Sequence, residues 1–327
     1  MRAFQEPVDA ASETISVHLS IGIATTRDSR HADELIRNAD LAMYRAKEAG
    51  KGRFESFDLA MRDAVLKRHG LKEELQRAVE RGEVVVEYQP IADLVTGEVV
   101  AAEALVRWNH PGRGRLLPIE FVPLAEETGL IVALGQHVLE QACMKVRAWQ
   151  LSEPGRTPSV HVNLSAIELR DPELSATVGA VLASAGIDPT YLVLEITESQ
   201  ITDEDASLTA LHELRSMGVR LALDDFGTGY SSLSYLRALP LDIIKIAKPF
   251  VEDMARGRQE SSFVRMIIDL AHALDLHVVA EGIESEDELR ALRELGCELG
   301  QGFYLARPLD LTSDPAPPAL GARQPAS

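Results

Sequence analysis

At 327 residues the chain is long enough for two domains, or for one barrel-sized domain with an appendage. Hydrophobic residues make up 46%, so a sizeable core can be buried and global disorder is excluded. A net charge of -18 has the wrong sign for gripping a nucleic-acid polymer, whereas a small anionic substrate fits if bound cations supply positive charge locally.

The two cysteines, Cys143 and Cys297, lie in apolar, helix-like surroundings without CxxC spacing, and are expected as buried free thiols in a reducing compartment. No apolar run approaches the ~18 residues that span a bilayer, and Met1 to Phe4 do not lead into a signal-peptide core. The expectation is a cytoplasmic chain without a membrane segment.

In chain order, the first signal is a strand over Ile15 to Ala24. An amphipathic helix follows from Ala32 to Ala49, with Leu35, Ile36, Ala39, Ala42, Met43 and Ala46 at helical spacing before Gly50. One strand and one helix cannot close a core, so residues 1–57 read as the tail of a larger α/β domain. The words Ser20-Ile21-Gly22-Ile23-Ala24, Ala39-Asp40-Leu41-Ala42-Met43-Tyr44-Arg45-Ala46-Lys47 and Gly50-Lys51-Gly52-Arg53 resemble the C-terminal third of GGDEF domains, the diguanylate cyclases. The chain holds no Gly-Gly pair, so that family's signature turn is missing and cyclase activity is not expected.

From Asp58 to Gly82 the pattern is helical and charged, with Leu66, Leu71, Leu75 and Val79 on one side. It reads as a connector helix, or equally as a solvated surface helix, with residues 58–70 assigned to the connector and 71–309 to the main domain. That domain opens with strands at Val84 to Pro90 and Val99 to Val106. Only Ile91 to Glu98 separate them, including Thr96-Gly97, too few for the crossover that parallel neighbours need, so an antiparallel hairpin is expected.

Beyond the hairpin, short apolar runs at Ser159 to Val162, Leu192 to Leu194, Arg220 to Leu223, Ile243 to Ile246 and His277 to Ala280 alternate with helical segments. The helices fall near Leu134 to Gln150, Pro172 to Ala185, Asp203 to Met217, Glu260 to Leu274 and Glu286 to Leu295, and a last short strand at Leu299 to Gln301. About eight strands over roughly 240 residues suit a TIM-like (β/α)8 barrel with an antiparallel opening; a doubly wound open sheet is the alternative. Residues 310–327 are Pro/Ala-rich and expected to be disordered.

The residues ending successive apolar runs are Glu103, Asn163, Glu195, Asp224 with Asp225, Lys245, Glu281 and Gln301. Any one of them could be a solvated strand end or a helix cap. Their recurrence places one functional position at the C-terminal ends of successive strands, which in a barrel converge on one face. Asp224 and Asp225 repel each other unless a cation lies between them, although a bare Asp-Asp also occurs in turns. The set is rich in oxygen and has no cysteine or histidine ligand candidate, which favours Mg²⁺ or Mn²⁺ over zinc. Two ions about 3.5 to 4 Å apart would activate a water for in-line attack on a phosphodiester. Lys245 offers fixed positive charge to the transition state, and Glu281 can orient or deprotonate the water. His110, His161, His212, His272 and His277 lack metal spacing and are read as structural.

The words Glu103-Ala104-Leu105-Val106-Arg107-Trp108, Val162-Asn163-Leu164-Ser165, Leu194-Glu195-Ile196-Thr197-Glu198, Asp224-Asp225-Phe226-Gly227-Thr228-Gly229-Tyr230, Ala280-Glu281-Gly282-Ile283-Glu284 and Gly300-Gln301-Gly302-Phe303 resemble the motif set of EAL domains, the cyclic di-GMP phosphodiesterases. The resemblance covers about Leu71 to Leu309. It implies a barrel with an antiparallel first strand and hydrolysis of cyclic di-GMP to linear pGpG by two metal ions. Glu103, Asn163, Glu195 and Asp224 would hold one ion, and Asp224 would bridge to a second held by Asp225. Lys245 and Glu281, with Glu103, would form the catalytic set, while Gln89, Arg107 and Gln301 hold substrate. Glu198 would brace the loop from Phe226 to Ser232, which in this family couples dimerisation to metal binding, and so a homodimer is implied.

One departure stands out. The family usually reads Lys-x-Asp at the sixth strand, and here Ala247 replaces the aspartate, which weakens the expectation of fast turnover. The alternative is an EAL receptor that binds cyclic di-GMP without cleaving it. Such receptors typically lose metal ligands, and here every ligand position is filled, which favours the enzyme.

Overall fold

A computed structural model of the chain describes residues 8–10, 13–15, 19–29, 31–48, 52–152, 158–200, 205–228, 236–254 and 258–309. The chain divides into two compact units, Met1–Gln76 and Arg77–Ser327.

In the first unit β1 (Val8–Ala10) pairs antiparallel with β2 (Glu13–Ile15), and β3 (Ile21–Ile23) pairs parallel with β4 (Phe54–Ser56). Helix α1 (Ala32–Glu48) makes the crossover between β3 and β4, with Asp33 and Glu34 in its first turn and Arg45 and Lys47 in its last, as the helix dipole favours. It packs so tightly on β3 that a Cβ at Gly22 would lie 1.8 Å from the Ala39 carbonyl oxygen, so no larger residue fits there. The strand expected over Ile15 to Ala24 is represented by the end of β2 and by β3, with residues 16–18 outside those described. Helix α2 (Leu59–Ala78) occupies the expected connector segment and runs across the division between the units.

The second unit contains β5 (Val84–Asp93), β6 (Val99–His110), β7 (Gly114–Leu116), α3 (Pro118–Thr128), α4 (Leu130–Ser152), β8 (Ser159–Asn163), α5 (Ala166–Leu169) and α6 (Leu174–Ala185). It continues with β9 (Leu192–Thr197), α7 (Asp205–Ser216), β10 (Arg220–Phe226), β11 (Ile243–Ile246), α8 (Lys248–Asp253), α9 (Arg258–Ala273), β12 (His277–Ala280), α10 (Glu286–Leu295) and β13 (Leu299–Gly300). The strands form a ring in the order β5-β13-β12-β11-β10-β9-β8-β6, closed by the β5–β6 pairing, with β7 attached to the far end of β6. Closure decides for the barrel over the open sheet. Strand β5 is antiparallel to both of its neighbours, and every other pairing in the ring is parallel. The hairpin turn explains this: Asp93 Oδ1 accepts from the backbone N–H groups of Val95 and Thr96, and Gly97 takes φ 75°, so the chain reverses within a few residues.

Two apolar layers hold the barrel. Inside it, Ile91, Ala101, Val193, Ala222, Ile243 and Val279 form one cluster with Leu299 packed against it. Outside, side chains of alternate parity, among them Val160, Val162, Leu194, Leu221, Leu223, Ile244 and Val278, meet the helices, where Val138, Val178, Leu211, Val264 and Leu292 are buried. Strands β1, β4 and β7 and helices α3, α5 and α8 are additions to the expected elements. Strand β7 has three residues and α8 six, too few for a periodic signal, and α3 carries prolines at 118 and 123 that mask its helical character. Cys143 and Cys297 are both buried, and burial pushes each thiol up to about 12. No helix among the described residues is long and apolar enough to cross a membrane. The expected disordered tail, residues 310–327, lies outside the described residues.

Candidate active site

Six strands deliver the polar residues of the mouth: Gln89 on β5, Glu103 on β6, Asn163 at the end of β8, Glu195 on β9, Asp224 and Asp225 on β10 and Lys245 on β11. Glu281 follows β12, and Gln301 follows β13. They meet because a parallel barrel points the C-terminal ends of its strands to one rim, and because antiparallel β5 brings its earlier residue, Gln89, opposite Glu103 in register.

Lys245 is the centre of the cluster. Its ammonium is fully buried and lies 2.6 Å from Glu281 Oε1, 2.8 Å from Glu195 Oε2, 3.3 Å from Asp224 Oδ1 and 3.6 Å from Glu103 Oε2. Burial alone would drive a lysine to lose its proton, but the attraction of Glu103, Glu195, Glu281 and Asp224 prevails and holds it charged well above its ordinary range. The carboxylates bear the opposite strain. Burial pushes Glu195 well above the usual carboxylate range, with Lys245 opposing only in part. Burial also lifts Glu281 to about 8 and, together with the charge of Asp224, raises Asp225.

Asp225 sits in the left-handed region at φ 52°, which is uncommon for a residue with a side chain and is a form of backbone strain that collects at functional sites. The kink turns consecutive side chains of one strand toward one place. Ligand oxygens of Asp224, Asp225 and Glu281 all lie within 4.8 Å of one another, so Glu281, read from the sequence as a water-activating group, is also placed to touch an ion. Asn163 donates to Glu103 Oε1 at 2.9 Å, and Gln301 donates both to Glu103 Oε2 and to Gln89 Oε1. Gln89 in turn donates to the Ala306 carbonyl at 3.1 Å.

The fit to divalent cations follows from charge and from unmet bonding. Four carboxylates lie within 4 Å of one ammonium and Asp225 adjoins them, so negative groups outnumber the positive one and bound divalent ions would favour their ionised forms. Buried Asp224 Oδ1 has no hydrogen bond despite its closeness to Lys245, because the approach is poorly angled, and Gln301 Oε1 is likewise without one. All donors are oxygen, as hard cations require. A cleft of about 300 Å³ opens over the cluster, lined by Gln89, Glu103, Asp224, Asp225, Glu281 and Gln301 together with Leu105, Lys248 and Phe303.

The remaining sequence candidates are placed as follows. Arg107 is buried on β6, donates through Nε to Glu87 Oε2 at 2.9 Å and shares that carboxylate with Arg115 of β7. Glu198 accepts from the Gly227 N–H at 3.4 Å, at the start of the loop it was expected to brace; residues 229–235 of that loop lie outside those described. Ala247 is fully buried and stands at the N-cap of α8 with no side-chain cap.

Three contacts escape the strand-end reading. Glu87 holds Arg107, Lys248 on the cleft rim pairs with Glu284 at 2.6 Å, and His161 Nδ1 lies 2.7 Å from Glu195 Oε1. Burial, then the charge of Lys245, holds the imidazole down to about 3, so it is neutral. The spacing of His161, two residues before Asn163 on one strand, carried the signal that both face the same way.

An eight-stranded barrel with one antiparallel strand and a carboxylate-lined mouth is the class defined by fold and site. The EAL domain family model matches residues 72–308, and this chain belongs to that family; the model for the diguanylate cyclase GGDEF domain matches residues 1–53. Over 311 residues the chain is 39% identical to the bifunctional diguanylate cyclase/cyclic di-GMP phosphodiesterase MucR of Pseudomonas aeruginosa, covering 94% of this chain and 45% of that protein. Over 299 residues it is 38% identical to the cyclic di-GMP phosphodiesterase PdeR of Escherichia coli, covering 90% of this chain and 45% of that protein. The chain thus spans less than half the length of each of these relatives. A solved structure described as the PaMucR phosphodiesterase in complex with c-di-GMP is 42% identical with a TM-score of 0.70, over 73% of this chain and 97% of the other.

Proposed function

We propose that the protein hydrolyses cyclic di-GMP to linear pGpG using two divalent ions, Mg²⁺ or Mn²⁺. The observation that carries this reading is the convergence of four carboxylates around Lys245, with Asp225 and Asn163 adjoining them, at the barrel mouth of an EAL family member. Glu103, Asn163, Glu195 and Asp224 would hold one ion, with Asp224 shared and Asp225 on the second; Glu281 lies close enough to join them. Bound ions would supply Lewis acidity and a water acidic enough to ionise near neutral pH. Glu281 takes the proton of the attacking water. Lys245 faces the charge that gathers on the phosphoryl oxygens as the water adds and the ester P–O bond breaks, and the leaving ribose oxygen gains the proton that the water gave up, from Glu281 directly or through solvent. Gln89, Gln301 and Arg107 hold the substrate, the last oriented by Glu87. Glu198 fixes the start of the loop after β10.

The domain bounds proposed with this reading are 1–57, 58–70, 71–309 and 310–327, supported by the family match over 72–308. A homodimer is proposed from the family resemblance, and a cytoplasmic location from the two buried free thiols. The test is incubation of purified protein with cyclic di-GMP and Mg²⁺ or Mn²⁺, followed by chromatography for pGpG. Binding without product would reject hydrolysis and favour the receptor.

A further inference from the structure

The mouth uses its carboxylates from above, and one histidine reaches them from below. His161 is 1% exposed, and among the described residues it is the imidazole in contact with the cluster. It lies on β8 directly beside Glu103 in the β6 register, and its Nδ1 is 2.7 Å from Glu195 Oε1. The other oxygen of that carboxylate, Oε2, is 2.8 Å from Lys245 Nζ. The two oxygens of Glu195 therefore have different and opposed partners. A carboxylate on a barrel strand can rotate about its terminal bond, and a donor fixed on one oxygen stops that rotation.

We propose that His161 is a positioning residue for metal binding: its Nδ1–H donates to Glu195 Oε1 and so presents Oε2 to the ion site. This rests on the reading of Glu195 as a metal ligand. An ionised ligand carboxylate accepts at both oxygens, so the imidazole must hold its proton on Nδ1. Ligating carboxylates are commonly oriented by such outer hydrogen bonds, and loss of one typically lowers metal affinity about 10- to 100-fold. Valine or leucine would fill comparable space next to the apolar floor that Val193 and Ile243 form on β9 and β11. What they would not supply is the donor.

The experiment titrates Mn²⁺ alone into the full chain by calorimetry, without substrate, for His161→Leu, His161→Asn and His161→Gln, alongside Glu195→Gln. Asparagine places an amide N–H near the position of Nδ1, whereas glutamine carries its amide one carbon further on. His161→Leu and His161→Gln should weaken Mn²⁺ about 10- to 100-fold, with His161→Asn within a few-fold of the parent. Equal affinity in His161→Leu and the parent overturns the proposal. If His161→Leu does not fold, equal affinities of the Asn and Gln variants overturn it instead. If Glu195→Gln leaves Mn²⁺ binding intact, the assignment of Glu195 as a ligand fails, and the positioning role fails with it for that separate reason.

Discussion

The floor and the mouth of the barrel are made by the same strands, two residues apart. Ala101 precedes Glu103, Val193 precedes Glu195, Ala222 precedes Asp224, Ile243 precedes Lys245, Val279 precedes Glu281 and Leu299 precedes Gln301. On β5 the order is reversed, with Gln89 before Ile91, because that strand runs the other way. In every case a step of two keeps the side chain on the inner face and moves it one layer up. The floor gains free energy from burial, about 25 cal/mol for each Å² of apolar surface removed from water. The mouth spends some of it, since like charges are held together in partial burial and Asp225 is held at positive φ. Stability is therefore built below and function above, on a shared set of strands.

That contrast can be broken most severely at the mouth. Glu103→Ala should lower pGpG production at least ~10³-fold, by removing a metal ligand, while stability changes by less than for the floor variant, because hydrogen bonds lost from Asn163 and Gln301 are offset by relief of carboxylate repulsion. Retained hydrolysis would remove Glu103 from the ligand set. The mirror-image change on the floor is Ile243→Ala, which should cost about 2 to 5 kcal/mol in a urea titration through lost burial and a residual cavity. If the two variants showed similar losses of stability, the division between layers would be wrong.

The pH response sharpens the comparison further. Glu281 rises from its ordinary value of 4.5 to about 8 on folding, by burial first. The unfolded chain then releases that proton more readily, so stability is fully present below pH 4.5 and declines as pH rises toward about 8. Metal-free protein should thus melt lower at pH 8.5 than at pH 6, and millimolar Mn²⁺ should reverse most of the decline by favouring the ionised carboxylates. A flat melting profile across this range would contradict the assigned strain. The smallest effect is expected from Ala247→Asp. It supplies a cap to α8, worth about 1 kcal/mol, offset by crowding at a fully buried position. Steady-state assays that show no change in rate or affinity would mean the alanine carries no penalty for turnover.

Much of this was legible along the chain. The hairpin followed from the short span between Pro90 and Val99, and the mouth followed from the polar or charged residue ending each apolar run, because strand period and strand direction are local properties. The contacts made by His161 and Glu87 were not legible. Each is a polar residue within an apolar run, where sequence alone cannot tell a satisfied core group from one that serves a neighbouring strand. Helix α3 was lost to its prolines, and α8 to its length.

The order of apolar and charged residues on each strand, together with the strand-helix alternation, was set by the sequence by itself, since side-chain alternation needs no partner to be read. Only the tertiary structure decided that Lys245 would stand between four carboxylates from four different strands, and that His161 would reach Glu195. Those distances depend on ring closure and on the stagger between strands, and register is fixed only when all eight pack around one interior.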